Sequence, residues 1–412
     1  MNTNQLTISL FVLLIFFAEV KAQSKLQSVS VLKFGPENTL FVGDSRAGKI
    51  FAFSIDKTHN TSAEVIYNVK DADTKIAALL ATTPDKILVK DIAVNPVSRE
   101  VYIGVDRVSG KTYTPAIVIM NHTGAVRRFD DAKARSSFIK IDNTPSKDFL
   151  FFDNVSAIER TFTDIDFHKG KLYISGISNT DFASTLKVVD FPFNGVQNSA
   201  SIEIYHTTHD QKETRAPIRT MEIVTLGGRE YILAAYTCTP LVTIPLDSIR
   251  DGAHVSGKTI AELGYGNTPI DFISYMAQGS SPTDTFPVVF LANNSQSAQI
   301  LRLSDIEQGN AKDGLNSFAN YQKKGVPAME IPITGVLQIA EQDDQRLVCA
   351  RRNVETGRLE LVSIRKNLYL RLTDAEGEYA FPDYRSGSNQ QMFKELQNML
   401  LKEEGYPNRT VK

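Results

Sequence analysis

Apolar and polar residues alternate in short runs over much of residues 26–372, and Gly, Asn, Asp and Pro break each run. A period of two puts successive side chains on opposite faces of an extended strand, and the breakers supply the turns of antiparallel hairpins. The first unit reads VSVLKFGPENTLFVGDSRAGKIFAFSID at 29–56. The second begins ILVKDIAVNPVSREVYIGVDR at 87 and runs on through AIVIMNHTGAVRRF to Phe129. Four more follow at 162–191, 218–247, 268–305 and 334–372. In the fourth, the pattern predicts strands over 218–224, 230–236 and 241–246. The long intervals 129–162 and 305–334 leave room for a seventh unit.

Repeated short hairpins with few helical patterns between them predict an all-β chain. Stacking four-stranded sheets radially buries both faces of each sheet and keeps the edges short, so a single β-propeller of six or seven four-stranded blades is the expected architecture. A pair of β-sandwiches or another closed β structure is the alternative. On phrases such as FVGDSRAGKIFAF, YISGISNTDFASTLKVV and VVFLANNSQSAQILRL, the chain resembles the broad β-propeller class that includes YVTN, NHL and quinoprotein-like repeats. The resemblance is to the class, and no motif singles out one family within it. The tail differs: Met392, Leu396, Met399 and Leu400 share one side of a helix predicted over 387–405, which Gly405 is suited to end. The expected division is a signal peptide at 1–22, a propeller at 23–386, and a C-terminal helix and tail at 387–412.

The signal peptide rests on the apolar run from Ile8 to Phe17, followed by Val20-Lys21-Ala22 before the expected cut. A run this short does not span roughly 30 Å of hydrocarbon as a helix, which predicts a periplasmic or secreted protein without a transmembrane segment. A formal net charge of −2 speaks against nucleic acid as a partner, since that needs a concentrated basic surface. Two cysteines, Cys238 and Cys349, are too few for a disulfide framework, and with a whole blade between their units they are expected to remain unbridged.

Chemistry concentrates in YHTTHDQKETRAPI at 205–218 and AAYTCTPLVTI at 234–244. His206 and His209, three apart, can share a metal if the backbone curls, and the Cys238 thiolate would make a third ligand favouring zinc or copper. Both segments are expected near the mouth of the channel: the histidines in the crossover before the fourth unit, Cys238 in that unit's second turn. Asp210 is a candidate to fix an imidazole tautomer, Tyr205 and Tyr236 are candidate acids or redox partners, and Arg215 and Arg219 candidate clamps for a carboxylate or phosphate. A second candidate site is axial. Asp91, Asp164, Asp166, Glu222 and Asp271 fall at or near matching places in four units, and Asp166 is its named ligand for calcium. The bland reading has these carboxylates bonded to neighbouring blades.

The absence of tryptophan excludes stacking a quinone cofactor on an indole. No Gly-x-Gly-x-x-Gly before a helix, no Walker sequence and no nucleophile elbow occurs. Three function classes remain: a copper or zinc protein, with or without catalysis; a non-catalytic propeller gripping a small molecule or protein on its loop face; and a calcium-dependent hydrolase built on axial carboxylates.

Overall fold

In a computed structural model the chain is described over residues 24–366, except 57–63, 152–153, 238, 279–284, 294–295, 321 and 332, and beyond that only at Lys394, Asn398 and Thr410. The signal peptide and the apolar stripe of the C-terminal helix lie outside the described residues. Among those described, no helix is long and apolar enough to cross a membrane.

Six antiparallel sheets stand around an axis, one for each unit read from the sequence. Blade 3 runs outward from Asp164–His168 through Lys171–Ile177 and Ser184–Asp190 to Gln197–His206, and blade 4 from Ile218–Leu226 through Arg229–Tyr236 and Pro240–Pro245 to Lys258–Glu262. Blades 5 and 6 begin at Pro269–Gln278 and Val336–Glu341. Among the described residues, the two long intervals hold no seventh blade. Ser136–Lys140, within the first, pairs with the third strand of blade 1, and Met329–Glu330, within the second, closes blade 5.

The ring does not follow chain order. The innermost strand of blade 1, Val31–Phe34, lies between that of blade 2, Ile87–Val94, and that of blade 3, while blade 2 adjoins blade 6. Going round, the order is 2, 1, 3, 4, 5, 6. Two blades are consequently assembled from distant segments: blade 1 takes Ser136–Lys140 as its fourth strand, and blade 6 takes Asn68–Val69. At the second seam the Ser363 hydroxyl accepts from the Tyr67 N–H at 2.7 Å, and the Ser363 N–H donates to the Tyr67 carbonyl at 2.9 Å. These two exchanged strands hold segments of the chain in distant blades by ladder hydrogen bonds in addition to side-chain packing.

Six apolar clusters fill the six junctions, one between each pair of adjacent blades. Strand Thr39–Asp44 shows why the sequence supports this: Leu40 and Val42 pack toward blade 2, whereas Phe41, one residue out of phase, packs toward blade 3. Both faces are buried, so the strand carries no solvent face, and every residue in it is buried. Phe41, Phe53, Phe162 and Phe290 are among the largest fully buried side chains, each stabilising the fold by roughly 1.5–3 kcal/mol.

Candidate functional site

The blade 3 hairpin brings the two histidines together. Gln197–His206 turns through Thr207–Asp210 and returns as Gln211–Glu213, pairing Ile204 with Glu213 and His206 with Gln211. Asp210 takes a left-handed φ of 52° at the corner, a conformation a short polar side chain tolerates. In this register His206 and Glu213 lie diagonally on one face of the ribbon, and the turn swings His209 over the same spot. The Glu213 carboxylate receives both imidazoles: Oε2 lies 3.0 Å from His206 Nδ1 and Oε1 2.6 Å from His209 Nδ1, with the ring centroids 4.0 Å apart. Burial pushes Glu213 up, but hydrogen bonds from His206 and then His209 outweigh it and hold the carboxyl at about 2. His206 is buried at 1% exposure, and His209 opens to solvent at 41% of its side chain.

Glu213 was not anticipated, because its nearness depends on a three-residue return strand too short to show a period. Among the described residues, His206, His209 and Glu213 alone form a group of three potential metal-ligating side chains with ligand atoms all within 4.8 Å of one another.

The position of this group corrects one expectation. It sits at the end of the fourth, outermost strand of blade 3 and not at the channel mouth, because that strand continues into its own hairpin before the chain crosses to blade 4. The hairpin is linked to blade 4: the Thr207 hydroxyl donates to Glu262, and the next residue, Leu263, donates its N–H to the Thr239 carbonyl at 3.1 Å. Cys238, between Thr237 and Thr239, lies outside the described residues.

The other candidates disperse. Asp210 accepts from the Tyr205 hydroxyl, and it is Glu213 that meets both imidazoles in the orienting place expected of Asp210. Tyr236 is fully buried in the cluster between blades 3 and 4, where burial drives its hydroxyl far above the ordinary range. Arg215 is exposed and donates to the Asp181 carbonyl at 3.3 Å, while Arg219 lines the axial channel instead. Cys349 is buried in the second strand of blade 6, and burial pushes its thiol up, which suits an inert strand thiol.

The axial carboxylates act mainly as staples between blades. Asp91 accepts from the Leu32 N–H of blade 1 at 2.6 Å, Asp164 from Met221 of blade 4 at 2.7 Å, and Asp166 from Ile223 at 3.1 Å. Glu222 accepts from the Ser274 N–H of blade 5, and Asp271 from Ile339 of blade 6 at 2.8 Å. Asp166 also meets Lys33 at 3.0 Å, spanning the junction of blades 1 and 3. Enclosure raises the others: burial pushes Asp164 up to about 6, Glu222 to about 7 and Asp271 to about 8, and lifts Asp91 well above the usual carboxylate range. Asp91, Asp164 and Asp271 line both of two axial cavities, of about 270 Å³ toward the face where the innermost strands begin and about 440 Å³ toward the other.

Comparison with solved structures returns β-propellers. The chain is similar to extracellular domains 1–2 of Drosophila Semaphorin 1a, at 10% identity over 86% of this chain and 90% of that one, with a TM-score of 0.36. It is also similar to Drosophila Semaphorin 1b, extracellular domains 1–2, at 12% identity over 83% and 88%, with a TM-score of 0.34. Virginiamycin B lyase from Staphylococcus aureus matches at 11% identity over 82% and 95%, with a TM-score of 0.33. No protein-family profile and no curated protein matches the sequence. The chain is a six-bladed β-propeller.

Proposed function

We propose that this is an exported propeller that binds one divalent transition metal through His206 Nδ1, His209 Nδ1 and a Glu213 carboxylate oxygen. The observation that carries the reading is the convergence of these three ligand atoms within 4.8 Å on one hairpin. Two imidazoles and one carboxylate suit zinc or copper better than calcium, which prefers six to eight oxygens. With His206 buried and His209 half-exposed, three protein ligands hold the ion and solvent reaches a fourth position. An open position of that kind is what water activation or ligand capture at a metal requires. Thr207, anchored to Glu262, stiffens the turn from below. Export is supported by the apolar run Ile8 to Phe17 near the start of the chain.

The test is metal content of the mature chain, prepared without a histidine tag and equilibrated with zinc or copper. About one equivalent is expected, falling to background in the His206→Ala/His209→Ala double variant and unchanged in Asp166→Asn. Metal that survives the double variant but leaves with Asp166→Asn would transfer the site to the axis and to calcium-type chemistry. Native protein that retains no metal would reject the reading.

A further inference from the structure

The cavity of about 270 Å³ on the axis, toward the face where the innermost strands begin, has a charge pattern that the blade staples do not explain. Lys90, Arg160 and Arg219 all line it. Two of the three come from register irregularities in innermost strands: the ladder shifts between Val89 and Asp91 and again between Ile218 and Thr220, leaving Lys90 and Arg219 as the extra residues. A bulge re-aims its extra side chain, here toward the axis, where a regular strand would have held it in the alternating pattern. The third, Arg160, ends the short helix Ala157–Arg160 that leads into blade 3.

These cations are poorly matched by the protein. Arg46 takes the nearby acids, meeting Asp106 at 2.9 Å and Glu159 at 2.6 Å, so Lys90 reaches them only at 3.9 and 3.8 Å. Among the described residues neither Arg160 nor Arg219 has an acidic partner within 4.0 Å. The carboxylates on the floor, Asp91 and Asp164, spend both oxygens on backbone N–H groups, and Asp271 spends its own on Ile339 and the Thr220 hydroxyl. Enclosure accordingly lowers Arg219 and Lys90, burial being the main cause for each.

We propose that this cavity is a binding site for a small hydroxylated monocarboxylate, its carboxylate held by Arg160, Arg219 and Lys90 and its hydroxyls on the floor formed by Asp91, Asp164 and Asp271. Guanidinium pairs recognise a planar carboxylate through parallel N–H donors. The volume lies just below the ~300–1,000 Å³ common for drug-sized ligands, which fits a short acid. A single negative charge is favoured over a dianion by the lining itself. Three cations share the lining with Glu159, Asp91, Asp164 and Asp271, burial lifting Asp91 well above the usual carboxylate range and Asp271 to about 8, so the lining has little positive charge to spare for a second anionic group. Asp271, which burial pushes up to about 8, can also donate to a ligand hydroxyl while it holds its proton, which a carboxylate cannot. The site is separate from the rim histidines, so each stands or falls alone.

Calorimetric titration of the mature protein with glycerate, inorganic phosphate and glycerol tests it. Saturable binding of glycerate is expected, weakened at least tenfold by Arg219→Gln and by Arg160→Gln, and unchanged by Lys133→Gln on the outer surface. Arg160 is exposed on its turn, so its variant keeps the test open should Arg219→Gln fail to fold. The proposal is overturned by absence of saturable glycerate binding, by glycerate binding that both folded arginine variants retain in full, or by phosphate binding more tightly than glycerate.

Discussion

The axis and the blade 3 rim both gather ionisable side chains, yet they arrange them in opposite ways. Along the axis, carboxylates from different blades are spread around a ring, each turned sideways onto a backbone N–H of the next blade. Burial, with a smaller contribution from one another's charge, raises their pKa values, and they form no shared ligand set among the described residues. On the rim, two histidines and a glutamate come from one hairpin, all within residues 206–213, and their ligand atoms lie within 4.8 Å of one another. Here proximity lowers the carboxyl, because its neighbours are imidazoles that donate to it. A ring of acids from many strands is a closure device, whereas a short ribbon can aim several side chains at one ion.

The most direct way to break this contrast is to remove one carboxylate from each region. Glu213→Ala is expected to weaken zinc or copper binding by on the order of 100-fold or more, since it takes away a ligand and the group that orients both imidazoles. Asp166→Asn is expected to leave metal affinity within a factor of two or so, about 0.4 kcal/mol. Competition titration against a chromogenic chelator measures both. Equal losses in the two variants would show that the regions share an ion and that the contrast is false.

The sequence made the hairpin units legible because each blade's inner three strands are long enough to show the period of two. In the fourth unit, strands expected at 218–224, 230–236 and 241–246 occur as Ile218–Leu226, Arg229–Tyr236 and Pro240–Pro245. The outermost strands were not legible. Asn68–Val69 and Ser136–Lys140 are two and five residues long, and nothing local records that they join blades begun elsewhere in the chain. The exchange of blades 1 and 2 in the ring stayed hidden for the same reason. Site residues divided along similar lines. His206, His209 and the axial acids stood out by type and spacing, but Glu213 needed the hairpin register, and Lys90 needed the bulge that turns it inward. Arg219 was read as a neighbour of the histidines because it is near them in sequence, and a strand beginning at Ile218 carries it to the axis.

A smaller effect should separate the regions by pH. Asp271, pushed up to about 8 mainly by burial and then by Asp164, favours the protonated form in the folded chain far more than in the unfolded one. A raised acid contributes stability that is complete below its ordinary value near 4 and is lost as pH rises through 8. Asp91, Asp164 and Glu222 act in the same direction, while Lys33 opposes them by favouring the ionised form of Asp271. Asp271→Asn keeps an acceptor for the Ile339 N–H but cannot ionise. Its melting temperature is therefore expected to rise relative to the parent protein by a few degrees between pH 5 and pH 9. A difference independent of pH would mean that Asp271 is ionised throughout and that the axis is not a strained ring of acids.

The smallest effect concerns the one axial junction closed by a cation. Between blades 1 and 3, Lys33 meets Asp166 at 3.0 Å, where the junctions of blades 1 and 2, 3 and 4, 4 and 5, and 5 and 6 use a carboxylate on a backbone N–H. Burial draws the Lys33 ammonium down, but Asp166, Glu222 and Asp164 outweigh it and hold it charged above its ordinary range. Lys33→Met removes that charge while keeping most of the apolar stem. The loss is limited because Asp166 still accepts from Phe167 at 2.9 Å and Ile223 at 3.1 Å, and because 39% of the Lys33 side chain is exposed to the channel. A destabilisation of about 1 kcal/mol is expected, shrinking in high salt. Denaturant titration at low and high ionic strength would measure it. A loss that salt leaves untouched would assign Lys33 a packing role, and the junction of blades 1 and 3 would then be held by its apolar cluster alone.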